Sequence, residues 1–263
     1  MMCDKIIFTT AFKDIKRSEF THYQRSNETY INYFMNLASE IKYKLVCYVE
    51  DDIHRLLLSK YNFNDNIIFV DFNDVDTIYK KYNNDNIKVV NSPEYKHLIP
   101  SYRKTNPEHV YGEYNSITCS KSDFVAHTKK IYTNYEYYAW IDFGCCRGTN
   151  CTIPKNINMN ELKNKIYFNY FDFPNLDNKI HEYRMLKSFT IFFDGSQFIV
   201  HNSLVEIFKK LCEEKIKYWI SINTSDDDQN LFLQIYYDHP ELFELKFKGD
   251  GWFKLFYKLR LPS

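Results

Sequence analysis

The strongest constraint on the fold lies in residues 5–82, where short apolar runs alternate with amphipathic ones. Lys5 to Thr10 is apolar and ends in two threonines, which reads as a buried strand. Asn27 to Glu40 carries Tyr30, Ile31, Phe34, Leu37 and Ala38 at helical spacing. Lys44 to Val49 and Asn66 to Asp71 read as further strands, and Asp51 to Ser59 and Asp74 to Tyr82 as helices, the first opening on acids that suit the helix dipole. Strands joined through helices are the mark of a parallel sheet, because a parallel pair needs a crossover connection. Such sheets hold ligands at the carboxyl ends of their strands.

Beyond this half, Asn83 to Pro107 is polar, contains Pro93, Pro100 and Pro107, and reads as a connection. Glu113 to Tyr132 is expected to be one long helix and Tyr137 to Phe143 a strand. The polar stretch Gly144 to Asn160 reads as a loop directly after that strand, a common place for function. Lys165 to Phe171 and Ser188 to Phe193 read as strands, with Gly195-Ser196 as a turn. Ser203 to Lys217 and Asp226 to Tyr237 read as helices. No repeat or linker divides residues 1–263, so one domain is expected.

Composition narrows the function classes. Lys+Arg and Asp+Glu are both 34, and a chain without basic excess is not expected to bind nucleic acid. The 23 Tyr and 22 Phe, with abundant Asn, Lys and Ile, fit the coding bias of an AT-rich genome. No apolar stretch approaches the ~18 residues of a membrane span, and the first apolar run is too short for a signal-peptide core. A cytoplasmic protein, bacterial or in a viral host, is expected. The seven cysteines include a cluster, Cys145, Cys146 and Cys151, but no second pair completes a zinc site, so reduced thiols are expected.

Three constellations carry chemistry. The strand Tyr138-Ala139-Trp140-Ile141 ends in Asp142-Phe143-Gly144, with Arg147 beyond. A carboxylate there sits where α/β enzymes meet ligands, and the arginine suits a phosphate. The bland alternative is a turn. The second constellation is Ser225-Asp226-Asp227-Asp228-Gln229. Ser225 as helix cap with Asp228 completing a capping box explains part of it. Three adjacent carboxylates exceed what a cap needs, and one can serve as a general base. The third is Thr9-Thr10-Ala11 with Lys16, Arg17 and Arg25, small residues and positive charge at one strand end; a solvated face explains the basic residues equally well. Neither a Rossmann fingerprint nor a P-loop is present.

Together these pieces resemble the HtrL/YibB (WlaTC-type) family. The resemblance is carried by Phe8-Thr9-Thr10-Ala11-Phe12-Lys13-Asp14-Ile15 with Arg17, by Glu113-Tyr114-Asn115 and Lys121-Ser122-Asp123-Phe124-Val125, and by Ala139-Trp140-Ile141-Asp142-Phe143-Gly144 with Arg147. Asp226-Asp227-Asp228-Gln229 and Trp252 follow in the family's order.

That family is similar to glycosyltransferases of the GT-A fold. The resemblance implies a single α/β domain with a mixed central sheet flanked by helices. It implies a nucleotide-sugar donor, UDP-linked by expectation, and a glycan hydroxyl as acceptor. Thr9, Thr10, Ala11, Arg17, Lys121, Asp142, Gly144 and Arg147 would bind the donor. Asp227, Asp228 and Gln229 would carry catalysis, and Trp252 would stack on substrate. Asp142 would bind Mn2+ or Mg2+, although Asp-x-Gly stands in place of the usual Asp-x-Asp; a second ligand would come from Asp250 or another late acid. His239 is expected to be a helix-terminus residue. The alternatives are an inactive carbohydrate-binding or scaffold protein on the same fold, and a nucleotidyltransferase, which would normally carry the Gly-rich loop missing here.

Overall fold

A computed structural model describes residues 5–148, 153, 157–188, 190–249 and 251–260. The strands are β1 (Ile6–Phe12), β2 (Leu45–Val49), β3 (Ile67–Asp71), β4 (Tyr137–Ile141), β5 (Ile166–Tyr170), β6 (Phe193–His201) and β7 (Phe247–Lys248). The helices are α1 (Asn27–Glu40), α2 (Asp51–Lys60), α3 (Ile78–Asn91), α4 (Pro93–Leu98), α5 (Pro107–Val110), α6 (Gly112–Thr118), α7 (Lys121–Ile131), α8 (Glu182–Met185), α9 (Val205–Ser221), α10 (Asp228–Asp238) and α11 (Leu255–Lys258).

One mixed sheet runs through the molecule in the order β3-β2-β1-β4-β6-β5-β7. The first four strands are parallel to one another, and β6 is antiparallel to both β4 and β5. The fold is α/β with helices on both faces. The period of two along β4 sorts its residues: Tyr138 and Trp140 pack with α7, α9 and α10, while Tyr137, Ala139 and Ile141 pack with α1 and α11. From β1 the chain proceeds outward to β2, whereas β4 lies on the other side of β1, so a crevice opens where the connections diverge. Because β6 runs against β4, the start of β6 meets the end of β4, with Ile141 opposite Gln197.

The expected β-α alternation of the first half is present. Several expectations are corrected. The polar connection at residues 83–107 is largely helical: α3 buries Ile78, Asn86, Val89 and Val90 and shows Lys80, Lys81, Asn84, Lys88 and Asn91 outward. Thr77 caps it, and Ser92 caps α4 with Pro93 in the first turn. The long helix expected at residues 113–132 is two helices, interrupted at Cys119 and Ser120. There Ser120 Oγ donates to Ser116 O (2.8 Å) and accepts from Tyr79 N (2.8 Å), so α7 starts afresh at Lys121. Gly195 and Ser196 lie inside β6, not in a turn.

Cys47, Cys119, Cys145 and Cys212 are buried free thiols, whereas Cys146 is disulfide-bonded, a departure from reduced thiols throughout. Cys3 and Cys151 lie outside the described residues. Among the described residues no helix is long and apolar enough to cross a membrane.

Candidate functional site

A cavity of about 360 Å³ opens at the carboxyl ends of β1 and β4. Its floor is Lys121, the first residue of α7, which is only 6% exposed. The ammonium donates to Asp142 Oδ1 (2.8 Å), Asp228 Oδ2 (2.7 Å) and the carbonyl oxygen of Gly195 (2.9 Å). Lysine has three N–H donors, so all three are engaged. Burial works against its charge, but Asp142 and Asp228 outweigh that and hold its pKa above the ordinary value.

Each partner has a local reason to be there. Asp142 follows Trp140 by two residues, so both project on the α7 face of the sheet. The indole Nε1 donates to Asp142 Oδ1 (2.8 Å), and the Asp142 backbone is tied to Ser196 O (2.9 Å). Asp228 opens α10. A Cβ on Gly195 would stand 2.1 Å from Asp228 Oδ2, so only glycine leaves room for the carboxylate.

The three consecutive acids divide their roles. Asp226 Oδ1 accepts from Asp227 N (2.8 Å) and its Oδ2 from Asn230 Nδ2 (2.9 Å). Asp227, not Ser225, is the N-cap, with Oδ1 accepting from Gln229 N (3.2 Å) and Oδ2 from Gln229 Nε2 (3.2 Å). Ser225 instead donates to Asn86 Oδ1 (3.0 Å). Asp227 therefore does not line the cavity, whereas Asp228 and Gln229 do. Burial pushes the Asp227 carboxyl well up, reinforced by Asp228 and Asp226. Burial also raises Asp228, against the pull of Lys121.

The rim is cationic. Arg17, Arg25 and Arg147 all line the cavity. Arg17 Nη1 and Arg25 Nη1 both donate to Tyr30 Oη, at 2.7 and 3.2 Å. Arg147 Nε donates to Gly144 O (3.1 Å) and its guanidinium lies 4.8 Å from the Phe253 ring centre. Among the described residues none of the three has a carboxylate within ion-pair distance. Lys13, by contrast, is paired with Glu50 (2.5 Å).

Ala11, Arg17, Lys121, Asp142, Gly144, Arg147, Asp228, Gln229 and Trp252 thus share one cavity. Thr9 and Thr10 do not line it: both are fully buried, with Thr9 Oγ1 donating to Thr128 Oγ1 (2.9 Å) across to α7. Trp252 stands at the mouth, 42% exposed and edge-on to Phe171. His239 closes α10, with its Nδ1 3.6 Å from Glu241.

Of the basic residues grouped at this strand end, Arg17 and Arg25 reach the cavity and Lys16 does not; sequence reasoning missed Asp194. Asp194 Oδ1 accepts from Ser196 N (2.9 Å) and from Ser196 Oγ, and Oδ2 from Phe253 N (2.8 Å). With Leu255 N donating to Gln197 Oε1 (3.1 Å), this pins the C-terminal segment to β6 and brings Trp252 and Phe253 to the cavity. Phe253 has a positive φ of 62°, an uncommon backbone state for an aromatic residue, so the pinning holds a strained turn. Asp-Gly-Ser reads as a turn in sequence, which hid this role.

A divalent cation does not fit this centre as it stands. Asp142 and Asp228 face one point, but the Lys121 ammonium holds it, and no group of three His, Cys, Asp or Glu suited to a metal exists among the described residues. Asp250 lies outside the described residues.

The family model that matches residues 4–261 is described as "Bacterial protein of unknown function (HtrL_YibB)". Protein HtrL of Escherichia coli (strain K12) is 26% identical over 271 residues, covering 94% of this chain and 90% of that protein. The crystal structure of mouse xyloside xylosyltransferase 1, apo form, superposes with a TM-score of 0.46 at 14% identity, covering 92% of this chain and 84% of that one. A likeness that loose carries no argument about chemistry.

Two outcomes follow from the geometry. Gly195→Ala forces its Cβ against Asp228, and overpacking of this kind costs ~1–3 kcal/mol, readable as a lower urea midpoint. Burial pushes Asp194 from 3.8 up to about 6. The native state then binds more protons than the unfolded chain between those values, so stability from this group is full below pH 4 and is lost as pH rises through 6. Comparing wild type with Asp194→Asn by urea unfolding, the wild-type margin is expected to shrink by up to ~3 kcal/mol from pH 4 to 7. A margin flat in pH would show that Asp194 titrates as an ordinary carboxyl.

Proposed function

The chain belongs to the HtrL_YibB family, and from that premise and the cavity's chemistry we propose that it is a nucleotide-sugar-dependent glycosyltransferase of GT-A type, moving a sugar to a glycan hydroxyl. The observation that carries the reading is one cavity joining three guanidiniums, without carboxylate partners among the described residues, to a carboxylate pair, buried Asp228 and partly exposed Asp142, held by one ammonium. The guanidiniums suit a diphosphate, which planar forks bind in bidentate fashion. The carboxylates suit sugar hydroxyls and the acceptor's proton. The place, outside the carboxyl ends of β1 and β4 where the strand order diverges, is where open α/β sheets hold nucleotides. The cavity's size is that of a small-molecule site.

In this reading Arg17 and Arg147 bind the diphosphate, with Ala11 and Gly144 giving the donor close access to the backbone. Asp142, partly exposed beside Trp140, receives the donor's ribose or sugar hydroxyls. As the bond from the anomeric carbon to the phosphate oxygen breaks, the electron pair goes to the diphosphate, and the guanidiniums stabilise that charge. The acceptor oxygen bonds to the anomeric carbon and its proton passes to Asp228, the acid of the run that reaches the cavity. Asp227 positions Asp228 and Gln229 by capping α10. Gln229 faces the transferred sugar, and Trp252 offers the acceptor an apolar face. The UDP-linked donor is part of this proposal.

The test is nucleotide release from a panel of UDP-, GDP- and TDP-sugars, with nucleotide binding measured alongside. Turnover of one donor is expected. Asp228→Asn keeps an acceptor for Lys121 but cannot take a proton, so turnover should fall ~100-fold or more while nucleotide affinity stays within about threefold of wild type. Nucleotide binding with no turnover of any donor, glycan acceptors included, would instead make this a binding protein.

A further inference from the structure

We infer that Lys121 occupies the seat a divalent cation would take, so that the site binds its diphosphate without metal, through Arg17, Arg25 and Arg147. The inference rests on the donor reading above for the identity of the ligand, but its geometry stands by itself.

The ammonium is held by acceptors from three separate parts of the chain, the end of β4, the start of β6 and the first residue of α10. Its three N–H groups meet three oxygens within 2.9 Å, so the tripod is complete. It is buried and stands 5.7 Å from the Trp140 ring centre, whose face favours a cation. To enter between Asp142 and Asp228, a metal ion would have to expel Lys121 and leave a buried ammonium unpaired, a strongly unfavourable state. The tripod is also built in by shape, since the residue opposite Asp228 must be glycine.

A tripod so complete leaves Lys121 no N–H for a phosphate oxygen. Direct contact then falls to the rim. Arg17 and Arg25 converge on Tyr30, Arg147 is anchored to Gly144, and burial together with the nearby Arg25 charge depresses the pKa of Arg147. Three guanidiniums gathered at one cavity, without a carboxylate partner among the described residues, form a charge arrangement that an anion relieves. Lys121 meanwhile neutralises part of the carboxylate charge that would repel that anion.

The test is calorimetric binding of UDP and of inorganic pyrophosphate to the full chain, each in EDTA and in Mn2+. Affinities within about threefold of each other in the two buffers are expected. Arg25→Ala and Arg147→Ala should each weaken binding of both probes ~10-fold or more in EDTA. Lys121→Ala uncovers two facing carboxylates, so it should bind Mn2+ directly where wild type does not. If that variant does not fold, the chelator comparison on wild type still decides. Binding that requires Mn2+, tightening by Mn2+ of more than ~10-fold, or no binding of either probe in either buffer overturns the inference. Metal-free binding with no donor turned over supports this inference and removes the transferase reading. Donor turnover only with Mn2+ does the reverse.

Discussion

Everything near the cavity is arranged around one buried ammonium. A lysine that is nearly enclosed keeps its charge only if oxygen atoms replace the water it has lost. Lys121 finds them on Asp142, on Asp228 and on the backbone of Gly195, residues far apart in sequence. The requirement therefore ties α7, β4, β6 and α10 to a common point. It also explains local choices: an indole at residue 140 that shares the Asp142 oxygen, a glycine at residue 195 that yields its side-chain space, and a helix that begins again at residue 121 after a break.

Behind the ammonium lies a second polar layer that holds α10 in place. Tyr95 Oη donates to Ser225 O (2.8 Å), Asn115 Nδ2 donates to Ser225 Oγ (2.9 Å), and Ser225 Oγ donates to Asn86. Asp226 sits against this layer, its pKa raised to about 7 by burial and by Glu108. Such a network is stable only when its members are satisfied together. Its effect here is to fix the start of α10, and with it the side chain of Asp228. The run of three acids is thus one residue facing the cavity and two that build the helix start on which it stands.

The first half of the fold was legible because parallel strands buried on both faces appear as near-continuous apolar runs, as β1 and β2 do, and the edge strand β3 keeps the apolar run Ile67-Ile68-Phe69-Val70. α3 was not, because its exposed Asn and Lys outnumber the few residues it buries; the Ser92-Pro93 cap was the available signal. Of the site, Asp142, Lys121, Asp228 and the arginines could be singled out by residue type and position. Their meeting could not, since contacts between residues 121, 142, 195 and 228 have no periodicity to betray them. Thr9 and Thr10 show the opposite limit. A hydroxyl near a strand end suggests a ligand, but Thr9, on the same face as Ala11, lies deeper in the strand against Thr128, and only Ala11, nearer the carboxyl end, reaches the cavity.

The departure from Asp-x-Asp at residue 144 connects these pieces. A divalent ion would keep coordination positions open for phosphate oxygens, whereas the Lys121 ammonium is fully occupied by protein. In the metal-free reading proposed above, phosphate contacts then come from guanidiniums, and two of the three donate to the hydroxyl of Tyr30. That ring packs directly over Gly144: a Cβ there would stand 3.0 Å from its carbon atoms. An aspartate at residue 144 would therefore displace Tyr30 and disturb Arg17 and Arg25 with it. With glycine at residue 144 the chain has the rim, and the second carboxylate at the centre comes instead from Asp228, where it meets an ammonium.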